Sequence, residues 1–254
     1  MDVPLQTLAL LLIVFFVVIL TLLHHARALD RRRTFYRRSL PALSALRRSL
    51  GSGAETGRAI HLSPGSGTVG ARATAAETIA GLLAAERTAT EAALSGIPVI
   101  ASSGDAVAHL ALRGALRQAY QRAGLGQDYH AANVQLLAQQ DPMAYASGVT
   151  TLYGRQRFGA SQLIGSFGYE ALLATEAGAQ SGMPQVAGAT TSTALPLMYL
   201  TADGTLIGEE VYAAEAYLAR APEAQGRLLT HDALRTVVIV AIVVLALWQL
   251  SVGS

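Results

Sequence analysis

The sequence predicts an α/β body, a Rossmann-like three-layer sandwich with a mostly parallel sheet, flanked by N- and C-terminal transmembrane helices. Three observations carry that expectation. Long apolar runs lie near both ends of the 254-residue chain. Between them, short apolar runs alternate with stretches of helical character. The short runs are apolar throughout rather than at every second residue, the pattern of strands buried on both faces. Helices between such strands favour a parallel sheet covered on both sides.

The first apolar run, residues 3–23, reads VPLQTLALLLIVFFVVILTLL. It has the roughly 20 residues that a helix needs to cross a bilayer core. A transmembrane helix is expected over 3–25. A cleaved signal peptide is the rival, and Ala26-Arg27-Ala28 offers it a cleavage pattern. Against it stand the absence of a basic residue before the run, the length of the run, and the basic stretch that follows. Arg27, Arg31, Arg32, Arg33, Arg37 and Arg38 make up that stretch. The positive-inside rule places them, and the body after them, in the cytoplasm, with anionic lipid head groups as partners of Arg31 to Arg38. His24 and His25 project about 100° apart on a helix and read as interfacial polar residues.

A basic juxtamembrane segment and linker is expected over 26–57. Ser39 is the expected N-cap of a helix with Pro41 in its first turn. Leu43, Leu46 and Leu50 recur at helical spacing, and Gly51 is the expected stop. This helix either lies on anionic lipid or packs its leucines on the body; the sequence supports both readings.

The α/β domain is expected over 58–220. Strands are expected at 58–62, 97–101, 133–138, 162–165 and 185–187, with a possible sixth at 195–200. Thr74-Ala75-Ala76-Glu77 reads as a capping box opening a helix over 74–94. A second helix is expected over 105–123. Asp141 then caps one whose first residue is Pro142. A further helix is expected over 168–181, and the last helix of the body over 206–220. Pro222 opens a helix continuing into a second span over 222–251. Its apolar part at 237–250 is short, roughly 17 residues even with its flanks, the lower limit of spanning length, and a buried hairpin helix is the alternative. With both runs in the bilayer, both termini lie outside.

Composition excludes several chemistries. There is no Cys, hence no disulfide, thiolate metal site or thiol nucleophile. There is no Lys either, which removes Schiff-base and P-loop lysine chemistry. The formal charge of +2 is uneven. Residues 1–50 hold the whole of the positive excess, with eight Arg against Asp2 and Asp30, while the remainder carries more acids than arginines. A basic nucleic-acid-binding face on the body is therefore not expected, and no nucleic acid is assigned as a partner.

Ligands of parallel sheets bind beyond the carboxyl ends of the strands. Those ends share small and hydroxyl residues here, which suit an anion at free backbone N–H groups and equally suit ordinary caps and turns. The candidate ligand-binding residues are Gly65, Ser66, Gly67, Ser102, Ser103, Asp105, Ser166, Glu170 and Thr190. Gly65, Gly67 and Gly70 form a literal G-x-G-x-x-G. The capping box puts the helix start several residues too late for a dinucleotide loop. His61, His109 and His130 show no metal-ligand spacing. No catalytic residue, metal or cofactor is assigned.

Pro184-Gln185-Val186-Ala187-Gly188, with Leu206-Ile207-Gly208-Glu209-Glu210-Val211-Tyr212-Ala213-Ala214, resembles an uncharacterised family of bacterial two-span membrane proteins. The resemblance implies the two-anchor layout and the α/β body across nearly the whole chain. It implies a shared fold or interface role for Gly208, Glu209 and Glu210, and no activity.

Three functions are open from sequence. The first is a membrane-anchored scaffold that homo-oligomerises through helices rich in Ala and Gly. The second is a sensor module holding a nucleotide or small anion at the strand ends. The third is a membrane-bound hydrolase or transferase using Ser102, Ser103 or Glu170.

Overall fold

A computed structural model describes residues 5–29, 39–70, 73–218 and 222–252. It divides into two compact units. One combines Met1–Arg37 with Ala219–Ser254, and the other is Arg38–Leu218.

The first unit contains two long helices, α1 (Leu5–Leu29) and α9 (Pro222–Val252). They pack on each other, and His24 Nδ1 lies 3.2 Å from Thr230 Oγ1 in a buried contact. The Thr230 hydroxyl donates to Gly226 O, so the imidazole Nδ1–H is the donor to Thr230. These helices stand where the two spans were expected. Among the described residues, no helix is long and apolar enough to cross a membrane. The basic run from Arg31 to Arg38 lies outside the described residues.

The second unit opens with α2 (Pro41–Thr56). The sheet and its helices then follow as β1 (Ile60–Gly65), α3 (Ala75–Leu94), β2 (Val99–Ser103), α4 (Ala106–Arg122) and β3 (Val134–Leu136). Next come α5 (Pro142–Arg155), β4 (Ala160–Ser166), α6 (Ala171–Gln180) and β5 (Gln185–Ala189). The unit ends with α7 (Ala194–Thr201), β6 (Gly204–Ile207) and α8 (Glu210–Leu218). The six strands form one sheet in the order β3-β2-β1-β4-β5-β6, and every pair is parallel. The chain winds outward from β1 to β3, returns to β4 beside β1, and winds the other way to β6.

Local chemistry explains most of these boundaries. The Asp105 carboxylate accepts from the Val107 and Ala108 N–H groups and starts α4. Asp141 accepts from Ala144 N ahead of Pro142 and starts α5. The short apolar strands fill the middle of the sandwich. Ile60, Leu62, Val99 and Ala101 pack with Leu112 and Leu116 of α4 and the alanines of α3. On the opposite face, Leu163 packs with Tyr145, Val149 and Phe167.

The structure corrects the sequence reading at four places. The residues at 195–200 are helical, within α7, and the sixth strand is β6. A parallel β5–β6 pair needs a crossover between its strands, and α7 supplies it, burying Ala194 and Met198. The last helix of the body therefore starts at Glu210, after β6, rather than at 206. Ser39 is not a cap: with Pro41 at the first helical position, the N-cap is Leu40, whose side chain is buried. Finally, α2 runs through Gly51 to Thr56 and ends at Gly57, which has φ +66°. Of the stretch expected as a short flexible linker, residues 51–57, all but Gly57 is thus helix. Leu43 and Leu46 bury against Val186, Leu206 and Val211, so α2 packs its leucines on the body.

Candidate functional site at the strand switch point

The order of the sheet places its reversal between β1 and β4, the position where open parallel sheets hold ligands. The loops leaving these strands touch. Ser66 N donates to Ser166 O at 3.2 Å, and Gly104 N of the next loop donates to Gly65 O at 3.1 Å. Gly65 has φ +98°, and a Cβ there would run into the Ser166 carbonyl. Only glycine allows this approach. The register between β1 and β4 shifts at the same point, between Ser63 and Gly65.

Two carboxylates flank the junction. Glu170 is almost fully buried, and its Oε1 accepts from the Ser66 hydroxyl at 2.6 Å and from Gly168 N at 2.9 Å. It therefore sits on an amide and a hydroxyl that an anionic ligand would otherwise use. Glu77 is 7 % exposed. Burial raises its pKa above the ordinary value, and a hydrogen bond from Ser166 partly opposes the shift. Its Oε2 has no partner among the described residues.

The capping box expected at Thr74 is not formed. The Thr74 hydroxyl donates to Thr68 O at 2.8 Å and accepts from Thr68 N at 3.2 Å, closing the preceding loop on itself. Glu77 is drawn to Ser166 instead of reaching back to the helix start.

The expected site residues fall into four places. Gly65, Ser66, Gly67, Ser166 and Glu170 meet at the junction; a Cβ on Gly67 would strike the Ser166 side chain. Ser103 and Asp105 are buried and serve their own loop: Ser103 Oγ bonds Asp105 O at 3.4 Å, and Asp105 caps α4. Thr190 is half-buried after β5. Ser102 turns inward rather than to the strand ends. Its Oγ lies 2.9 Å from His61 Nε2, and His61 Nδ1 lies 2.7 Å from Tyr153 OH.

That contact belongs to a buried polar chain across the sheet face. Tyr153 is also bonded to Ser161, and Tyr145 to both Ser102 and Ser63. Ser63 Oγ lies 2.5 Å from Tyr145 OH and accepts from Gly65 N at 3.0 Å. Burial pushes His61 down to about 3, so the ring is neutral at pH 7. Burial likewise pushes the Tyr145 phenol up to about 12, against its hydrogen bonds to Ser63 and Ser102. Ser102 and His61 resemble a nucleophile and its base in type and spacing. Both are completely buried, so no substrate reaches them. The chain instead ties β2, β1, β4 and α5 together below the junction.

A family model for a domain of unknown function, DUF6754, matches residues 2–253. The chain belongs to the DUF6754 family. No curated protein and no solved structure matches it. The match covers both end helices and the body, so this DUF6754 chain is one family unit with no activity attached. Roles for its residues rest on geometry. Among the described residues, no group of three or more His, Asp or Glu could hold a metal ion.

Sequence reasoning missed Glu77, Ser63 and Tyr145. Glu77 carried a signal, an acid three residues into a helix after a glycine-rich loop, but the capping-box reading absorbed it. Ser63 and Tyr145 lie 82 positions apart, and nothing local relates them.

Proposed function

We propose that this DUF6754 protein is a membrane-tethered interaction protein, its α/β body acting as a self-associating scaffold on the cytoplasmic face. The observation that carries the reading is the outward-facing apolar surface of α1. Leu11, Leu12, Ile13, Phe15, Phe16 and Leu22 are each half or more exposed. Val237 to Val240 and Ile242 on α9 are exposed in the same way. Side chains of this kind favour leaving water by about 25 cal/mol per Å². The basic residues after α1 suit the cytoplasmic leaflet. The sealed Ser102–His61 pair weighs against a hydrolase.

A second reading has its own support. The unpartnered Glu77 oxygen at the β1–β4 junction suits a small ligand that donates hydrogen bonds. Glu170 and Glu77 would repel the phosphate of a nucleotide there, so a sensor at this edge would favour cationic or hydroxyl-bearing ligands.

Two experiments test the scaffold. Carbonate washing is expected to leave the chain in the membrane, and protease added to intact cells to spare the body. Mass photometry of the chain extracted in mild detergent is expected to show a discrete oligomer. Release by carbonate, or a monodisperse monomer, would sink the reading.

A further inference from the structure

The strand carboxyl ends are furnished with acids, and the opposite edge of the same sheet carries the reverse. A pocket of about 270 Å³ opens there, lined by Thr56, Arg58, Arg157, Phe158, Gly159 and Ser181 with Gly182 and Pro184. These residues lie just before β1, β4 and β5, at the amino ends of three adjacent strands. No acid is among them. Neither the Arg58 nor the Arg157 guanidinium is hydrogen-bonded or ion-paired to any described residue. Three other arginines of the body are engaged: Arg87 pairs with Glu215, Arg122 with Glu86, and Arg47 donates to Tyr217 O. Arg48, Arg113, Arg117 and Arg155 likewise have no hydrogen-bonded or ion-paired guanidinium among the described residues, so what sets Arg58 and Arg157 apart is that both line one pocket.

We propose that this pocket is a binding site for a phosphate group, held between Arg58 and Arg157. The pocket hydroxyls do not compete as donors. Thr56 donates to Gly53 O and Ser181 to Gly178 O, which leaves the guanidinium N–H groups to meet the ligand. A guanidinium presents a planar fork that matches the oxygens of phosphate in pairs. The field of the fold works against an anion here, because α2, α5 and α6 all end at this edge. Each helix end carries roughly half a negative charge, about one and a half in all. Two full positive charges outweigh that sum. Gly159 and Gly182 line the pocket without adding side chains to it. The inference is independent of the scaffold reading and of the junction at the other edge.

The test uses the full chain in nanodiscs of zwitterionic lipid. Inorganic phosphate is titrated at constant ionic strength against a chloride control, followed by melting temperature and calorimetry. A parallel arm adds vesicles containing phosphatidic acid, which presents the same group on a lipid. Phosphate is expected to raise the melting temperature where chloride does not. R58Q and R157Q are expected to weaken binding at least tenfold while melting like the parent without phosphate. R58K is expected to fall between, since Lys keeps the charge and loses the fork. Arginine-dependent binding in the vesicle arm alone also supports the site and assigns the phosphate to a head group. Equal responses to chloride and phosphate in both arms, or binding that survives both R58Q and R157Q, would overturn it.

Discussion

Two buried titratable residues set opposite pH dependences. Glu77 has a raised folded pKa, so the stability tied to its neutral form is present below the ordinary glutamate value of 4.5 and is lost as pH rises past the folded one. At neutral pH its charge opposes folding. Glu77→Gln is therefore expected to raise the melting temperature at pH 7 and to bring little gain at pH 4; equal gains at both would refute the assignment. His61 has a depressed folded pKa. Its contribution is complete above the ordinary value of 6.5 and falls away as pH drops toward about 3, because only the unfolded chain takes up the proton. His61→Asn is expected to destabilise at pH 7 by about 1–3 kcal/mol, through the orphaned Tyr153 or Ser102 hydroxyl. The same change should flatten the loss of stability between pH 6.5 and 4. Urea melts across that range measure both effects.

Among the helices, glycine has opposite meanings at two positions. Gly81 lies on the face of α3 against the sheet. A Cβ there would strike Ile164 O and come within 3.0 Å of the Gly165 and Pro64 Cα atoms. Gly81→Ala is expected to lose about 1–3 kcal/mol, although Ala is the better helix former. Gly114 in α4 is exposed with nothing within 4 Å of its built Cβ. Gly114→Ala is expected to gain about 0.5–1 kcal/mol by restricting the unfolded chain. Denaturant midpoints of the two variants should move in opposite directions, and a shared direction would mean that packing on β4 does not fix α3.

For the molecule as a whole, the consequence is autonomy of the body. All six strands, their helices and the three apolar clusters lie within Arg38–Leu218. A fragment of residues 38–218 is expected to stay in solution without the apolar surface of α1 and to melt in one cooperative step by circular dichroism. A broad, non-cooperative melt would show that the end helices are needed to complete the core.

The alternation of strand and helix was legible because each element follows local rules. Asp105 and Asp141 announced their helices, and uniformly apolar strands announced burial on both faces. The errors came where local rules gave two answers. Leu195 to Leu200 is apolar enough for strand or helix, and only the need for a crossover between β5 and β6 decided it. Thr74 and Glu77 have the spacing of a capping box, but each found a better partner outside the helix. Of the junction, Gly65, Ser66, Gly67, Ser166 and Glu170 were readable as strand-end residues. Their meeting was not, because it depends on β4 returning beside β1. Strand order is set by long-range packing, which no local pattern encodes. The chain by itself determined the class of fold, the apolar ends and the residue types at the strand ends. Tertiary structure alone decided which of those residues touch, which serine faces inward, and that acids gather at one edge of the sheet while unpaired arginines face a pocket at the other.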